Sequence, residues 1–127
     1  MEEPRKSKKS ETADWLMEAL TLAKYFEYYG PLFDEHQRAV FEDYICNDMS
    51  LSEISEREGM TRQGVSDLVR RTSRKLHAYE ESLHLAERAE CAGNIIDALR
   101  DRIAGGTCSD TDRKEMDNLL DRLSEML

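Results

Sequence analysis

The side chains with the most chemistry to offer are crowded into one stretch. Between Thr61 and His77 the chain places Arg62, Gln63, Ser66, Arg70, Arg71, Arg74 and Lys75 against a single acid, Asp67. Guanidinium groups hold phosphate or pair with guanine, a glutamine amide pairs with adenine, and a hydroxyl bonds to either kind of edge. On a helix whose first turn meets nucleic acid, Arg62, Gln63 and Ser66 are the candidate base readers, and Arg70, Arg71, Arg74 and Lys75, farther along, the candidate phosphate holders. Gly64, in the first turn, weakens a helix but permits close approach of a backbone or sugar. The competing reading is a protein-docking surface whose arginines are solvated or paired with acids.

Two helices and a tight turn must position these groups. Ser50 followed by Glu53 is a capping-box pattern, so the spacing predicts a helix from Leu51. Gly59 stands where the chain leaves that short helix and needs positive φ. Thr61 supplies the next N-cap, and Val65, Leu68 and Val69 then repeat on one helical face. Two helices joined by a short glycine-containing turn form the helix-turn-helix pattern.

Upstream, Trp15, Leu16, Ala19, Leu22, Ala23 and Phe26 predict a helix from about Thr12 or Asp14 to Tyr29, ended by Gly30-Pro31. Phe26 is expected in the core, with the tyrosines at its edge. Asp34 and Gln37 open a further helix through Ala39, Val40, Tyr44 and Ile45, closed by Asn47-Asp48. Downstream of Arg62 no proline interrupts an apolar series that includes Leu76, Tyr79, Leu83, Ala86, Ile95, Ile96, Leu99 and Ile103. The recognition helix is therefore expected to run on, or kink once, into a long arm, with Gly93 the interior weak point. Gly105-Gly106 marks a stop. Ser109 or Asp110 then caps a last helix striped by Met116, Leu119, Leu120, Leu123 and Leu127, free by sequence to pack in cis or in trans. The expected organisation is a mobile basic tail over 1–10, a helix-turn-helix head over 11–78, and a helical arm with a C-terminal helix over 79–127.

Charge weighs against loose coating of nucleic acid. The net charge is −9, yet the basic residues gather in the Thr61–His77 stretch and in the tail, at Arg5, Lys6, Lys8 and Lys9. A local basic face on an acidic body favours docking at one defined site. Cys46, Cys91 and Cys108 are odd in number and lack CxxC spacing, consistent with a reducing compartment. No segment approaches eighteen consecutive apolar residues and no apolar run follows the first charges, so a cytoplasmic protein without membrane contact is expected. No phosphate-binding glycine loop, nucleophile elbow or HExxH pair is present, and no enzyme activity or cofactor is expected. His77, Glu80, Glu81 and His84 are the best metal-like grouping, a pattern more common on solvated helices than at zinc sites, and no metal is assigned.

With these residues in place, the chain resembles the YlxM family of small bacterial helix-turn-helix proteins, encoded beside genes of the signal recognition particle. The likeness runs through Tyr25-Phe26-Glu27-Tyr28-Tyr29, Leu32-Phe33-Asp34 with Gln37, Tyr44, and Ser50-Leu51-Ser52-Glu53-Ile54. The family's signature SRQAVYDNIRRT is similar to the run from Thr61 to Thr72, with Gly64, Ser66 and Leu68 departing from its alanine, tyrosine and asparagine. Tyr79-Glu80 and Leu83 continue the likeness, which covers about Leu16 to Ile103. The resemblance implies an all-α protein with a head like the DNA-binding region 4 of sigma factors, a long helix, and often a homodimer. It also implies a regulatory role in the signal recognition particle pathway, through the particle's RNA or its GTPase, and carries Arg62, Gln63, Asp67, Arg70 and Arg71 over as candidates. The expected protein is a non-enzymatic nucleic-acid-binding regulator of that pathway. The alternatives are a DNA-binding transcription regulator of sigma-region-4 type and a protein adaptor contacting the GTPase.

Overall fold

Four local stop and start signals shape the first half of the molecule. The computed structural model describes the backbone of residues 8–106 and 109–126, and side chains from Asp14 onward. Helix α1 spans Lys8–Tyr29 and passes into a single 3-10 turn, Gly30–Leu32, with Pro31 in its first turn. Asp34 accepts a hydrogen bond from the Gln37 N–H at 2.8 Å and caps α2, Glu35–Ile45. Ser50 does the same for α3, Leu51–Glu58, by accepting from the Glu53 N–H. Gly59 closes α3 at φ 66°, in the left-handed region that costs a residue with a Cβ about 1–2 kcal/mol. Thr61 then accepts from the Gly64 N–H at 2.9 Å and opens α4, Arg62–Leu83.

The fold is all-α: six α-helices and no strand among the described residues. α4 is the spine of the head, with α1, α2 and α3 all packed on it. Leu22, Tyr29, Phe33, Phe41 and Leu76 form one buried cluster, and Val40, Ile54, Val65 and Leu68 a second. Val69 packs against both, so the two layers share one ridge of α4. Polar groups lock the orientation of that helix. Gln37 donates its side-chain amide to the Thr72 hydroxyl at 2.9 Å, and the buried Thr72 donates in turn to the Leu68 carbonyl. The Tyr29 hydroxyl donates to Glu80 at 2.7 Å inside the core. His77 meets Glu18 of α1 at 2.7 Å, and Arg57 of α3 pairs with the buried Asp43 of α2.

Several expectations need correcting. α1 begins at Lys8, before Thr12, so Lys8 and Lys9 belong to a helix, while residues 1–7 of the expected tail lie outside the described residues. Trp15 and Leu16, placed by periodicity on the core face, are 47% and 48% exposed; within the head the buried cluster takes up α1 only from Leu22 onward. Tyr29, expected at the edge, is 1% exposed; Glu80 satisfies its hydroxyl and allows the ring inside. Phe26 is half-buried and tilts against Phe41 at 5.0 Å.

The run after Arg62 breaks at His84, not at Gly93. His84 has φ 54°, a region that histidine enters more readily than most side chains, and its ring meets Glu87 at 3.0 Å. Gly93 stays inside α5, Leu85–Ala104, since a helix held by its neighbours tolerates the glycine propensity cost of about 1 kcal/mol. The chain accordingly divides into two units, the first ending at Leu83 and the second starting at His84. The second unit is a helical hairpin of α5 and α6, Asp110–Met126, so the last helix packs in cis. Ser109 and Asp112 cap α6 reciprocally, the hydroxyl accepting from the Asp112 N–H and the carboxylate from the Ser109 N–H. Arg102 near the end of α5 reaches across to Asp112 at 2.8 Å and to Glu115.

Candidate nucleic-acid interface

The buried face of α4 decides which of its polar side chains can meet a ligand. Val65, Leu68, Thr72, Leu76 and Glu80 turn inward. By helical spacing the line opposite them is Gln63, Asp67, Arg70 and Arg74, at steps of four, three and four. Arg71 and Lys75 flank this line on one side and Arg62 and Ser66 on the other. Arg62, Gln63, Arg70, Arg71, Arg74 and Lys75 are all exposed, and Ser66 is half-buried against the body. The seven expected residues therefore share one helix, but only Gln63, Arg70 and Arg74 stand on its most prominent line.

The turn before α4 adds one residue that the sequence expectation lacks, Met60. Met60, Gly64, Asp67, Arg70, Arg71 and Arg74 line an open groove of about 440 Å3. Met60 packs against the Ile54–Val65 cluster, so the wall of the groove is anchored to the core. A Cβ on Gly64 would stand 3.1 Å from the capping Thr61 hydroxyl, which makes the glycine part of the tight helix start. Gly64 also keeps the floor of the groove bare.

Electrostatically, the cations fall into two classes. Arg57 and Arg102 are spent on structural acids. Arg62, Arg71, Arg74 and Lys75 pair with no acid among the described residues, and Arg70 sits 3.7 Å from Asp67. Asp67 also accepts from the Gln63 side-chain amide at 3.0 Å. Its contacts at i−4 and i+3 were readable from spacing alone.

The metal-like grouping expected on this helix does not come together among the described residues. His77 is taken by Glu18, Glu80 by Tyr29 and His84 by Glu87, and no metal-binding cluster occurs among the described residues. Burial and then the charge of Glu42 push the Cys46 thiol up, away from the reactive thiolate. Cys108 lies outside the described residues. None of the described helices is long and apolar enough to cross a membrane.

Comparison with known proteins gives this geometry a family. A family profile described as "Putative helix-turn-helix protein, YlxM / p13 like" matches residues 16–119. The chain belongs to this family. Within the YlxM family, the UPF0122 protein of Shouchella clausii is 35% identical over 101 residues, covering 80% of this chain and 89% of that protein. The UPF0122 protein of Lacticaseibacillus casei is 34% identical over 100 residues, covering 79% and 86%. A relative from Thermoanaerobacter sp. strain X514 is 40% identical over 75 residues, covering 59% of this chain and 64% of the relative. The YlxM profile takes in all of α2 to α5 and part of α1 and α6, so the helix-turn-helix of α3 and α4 lies wholly inside the matched region.

Proposed function

We propose that the chain is a non-enzymatic helix-turn-helix regulator that binds nucleic acid through α4 and acts in the signal recognition particle pathway. One observation carries the binding reading: α4 is held by three helices and by the Gln37–Thr72 and Tyr29–Glu80 bonds, while its outer side presents Arg62, Arg71, Arg74 and Lys75, which pair with no described acid, and Arg70 beside Asp67. Solvated cations on a rigid helix neutralise phosphate without first breaking internal pairs. Arg62, Gln63 and Ser66 stand nearest the helix start, where base edges are met. Arg70, Arg71, Arg74 and Lys75 follow the backbone. The acidic remainder of the surface limits contact to this one face. The pathway assignment rests on the likeness to the YlxM family.

Assembly as a homodimer fits the hairpin. Only Ala86 of α5, Ile95 of α5 and no residue of α6 are buried, while Ile96, Ile103 and Leu120 remain exposed. A second copy would cover that apolar surface, and sedimentation of an Ile96→Glu, Leu120→Glu variant should then give a monomer; an unchanged mass removes the dimer.

Fluorescence anisotropy of the full chain with signal recognition particle RNA and with random duplex DNA, at several salt concentrations, tests the functional reading. Tighter binding to the RNA at every salt supports it. Selective binding to a duplex would favour the sigma-like transcription regulator, and binding to neither would favour an adaptor that contacts the particle's GTPase. Equal, weak, steeply salt-dependent binding to both would remove specific recognition.

A further inference from the structure

A carboxylate in the middle of a cationic face works against phosphate binding, and Asp67 occupies the central line of α4 with Arg70, Arg71 and Arg74 around it in the same groove. Nothing buries or neutralises it completely: its side chain is 50% exposed, and the Arg70 guanidinium is 3.7 Å away. Both of its contacts, with the Gln63 amide and with Arg70, fall on Oδ1, leaving the Oδ2 edge to an incoming donor. Only the NH2 of Gln63 can donate to a carboxylate, so Asp67 also fixes which way that amide faces.

Resting on the nucleic-acid reading above, we propose that Asp67 is the specificity-determining residue of this face and accepts a hydrogen bond from the N4 amino group of a cytosine. The chemistry selects this edge. An ionised carboxylate only accepts hydrogen bonds, and the exposed edge of cytosine offers a donor. In a duplex major groove guanine presents acceptors there and is repelled. Adenine places the N7 acceptor beside its amino group, which faces a carboxylate poorly. A phosphate at the same position meets like charge, so Asp67 penalises every register in which the backbone, and not a base, sits over the centre of the helix. Arg71 and Lys75 on one flank and Arg62 on the other still hold the strand. The cytosine can come from a duplex DNA major groove or from an unpaired RNA loop, since the major groove of an RNA helix is too narrow to read; in a loop, guanine also offers its N1–H and N2 amino donors, and the carboxylate there takes either base.

The test is selection by the full chain from two pools, randomised duplex DNA and RNA hairpins with randomised loops, each followed by sequencing. The intact chain should enrich one cytosine position in the duplex pool, or one cytosine-or-guanine position in the loop pool, and which pool does so identifies the source. Asp67→Ala should lower that cytosine preference about tenfold, the size expected for one lost base contact, and should tighten binding to the unselected pool several-fold. Asp67→Asn should move the preference from cytosine to adenine, whose N6 and N7 match a side-chain amide; a merely structural role for Asp67 would leave the selected base unchanged. An unchanged cytosine in both variants, or selection by the intact chain without any preferred base, overturns the assignment of Asp67 and leaves nucleic-acid binding standing. Failure of the intact chain to bind either pool overturns the binding reading, and this inference with it.

Discussion

The two units of the chain bury their apolar side chains to very different degrees. The head encloses Tyr29, Phe41, Ile54, Leu76, Val40 and Val65 almost completely, in clusters that draw on α1 to α4. The α5–α6 hairpin buries Ala86 and Ile95 and nothing from α6. A pair of helices touching along one stripe cannot hide both apolar faces, whereas a helix with three neighbours can. The head is therefore built to present a rigid surface. The hairpin is joined at one end by surface pairs such as Arg102 with Asp112, and its apolar side stays largely exposed.

The largest expected effect sharpens this contrast in stability. Phe41→Ala or Leu76→Ala should cost about 2–5 kcal/mol in urea unfolding, through lost burial and the cavity left behind. Leu120→Ala in the hairpin should stay within about 0.5 kcal/mol. Comparable losses at both sites would show that the hairpin carries a core of its own. Next in size, Tyr29→Phe removes one hydrogen-bond partner of the buried Glu80 and should cost about 1–3 kcal/mol by the same measurement. Gly59→Ala should cost about 1–2 kcal/mol, because its φ of 66° is strained for alanine although the space beside it is open.

The smallest effect belongs to the hairpin. The Ser109 hydroxyl and backbone N–H, with Arg102 beside them, hold the Asp112 carboxyl below its ordinary range. A lowered carboxyl contributes stability that is complete above its unfolded value and lost as pH falls through the folded one. Protection of α6 amides, corrected for the intrinsic pH dependence of exchange, should therefore fall below about pH 4, and Asp112→Asn should remove most of that dependence while leaving the head unchanged.

What was legible in the sequence was local. Asp34, Ser50, Gly59 and Thr61 mark their helix ends through bonds to residues three positions away, or through a single φ, and all four act as their types demand. The candidate face was legible for the same reason, since helical spacing alone orders Gln63, Asp67, Arg70 and Arg74. Burial of Tyr29 was not legible, because it depends on Glu80, 51 positions along the chain. The Gln37–Thr72 bond spans 35 positions and leaves no local signal. Periodicity put Trp15 and Leu16 inward, but the head's buried cluster takes up α1 only from Leu22 onward. At His84 and Gly93, intrinsic propensity pointed to the wrong residue; a single histidine in the left-handed region breaks the run, and a glycine does not.

The central claim is that the outer face of α4 meets phosphate through exposed cations, of which only Arg70 lies near a described acid, Asp67. It is tested most directly by the salt dependence of nucleic-acid binding for the intact chain and for an Arg70→Ala, Arg71→Ala variant. Loss of two phosphate contacts should lower the slope of log affinity against log salt by about two, with little change in folding stability. An unchanged slope would contradict the account and place the binding surface elsewhere.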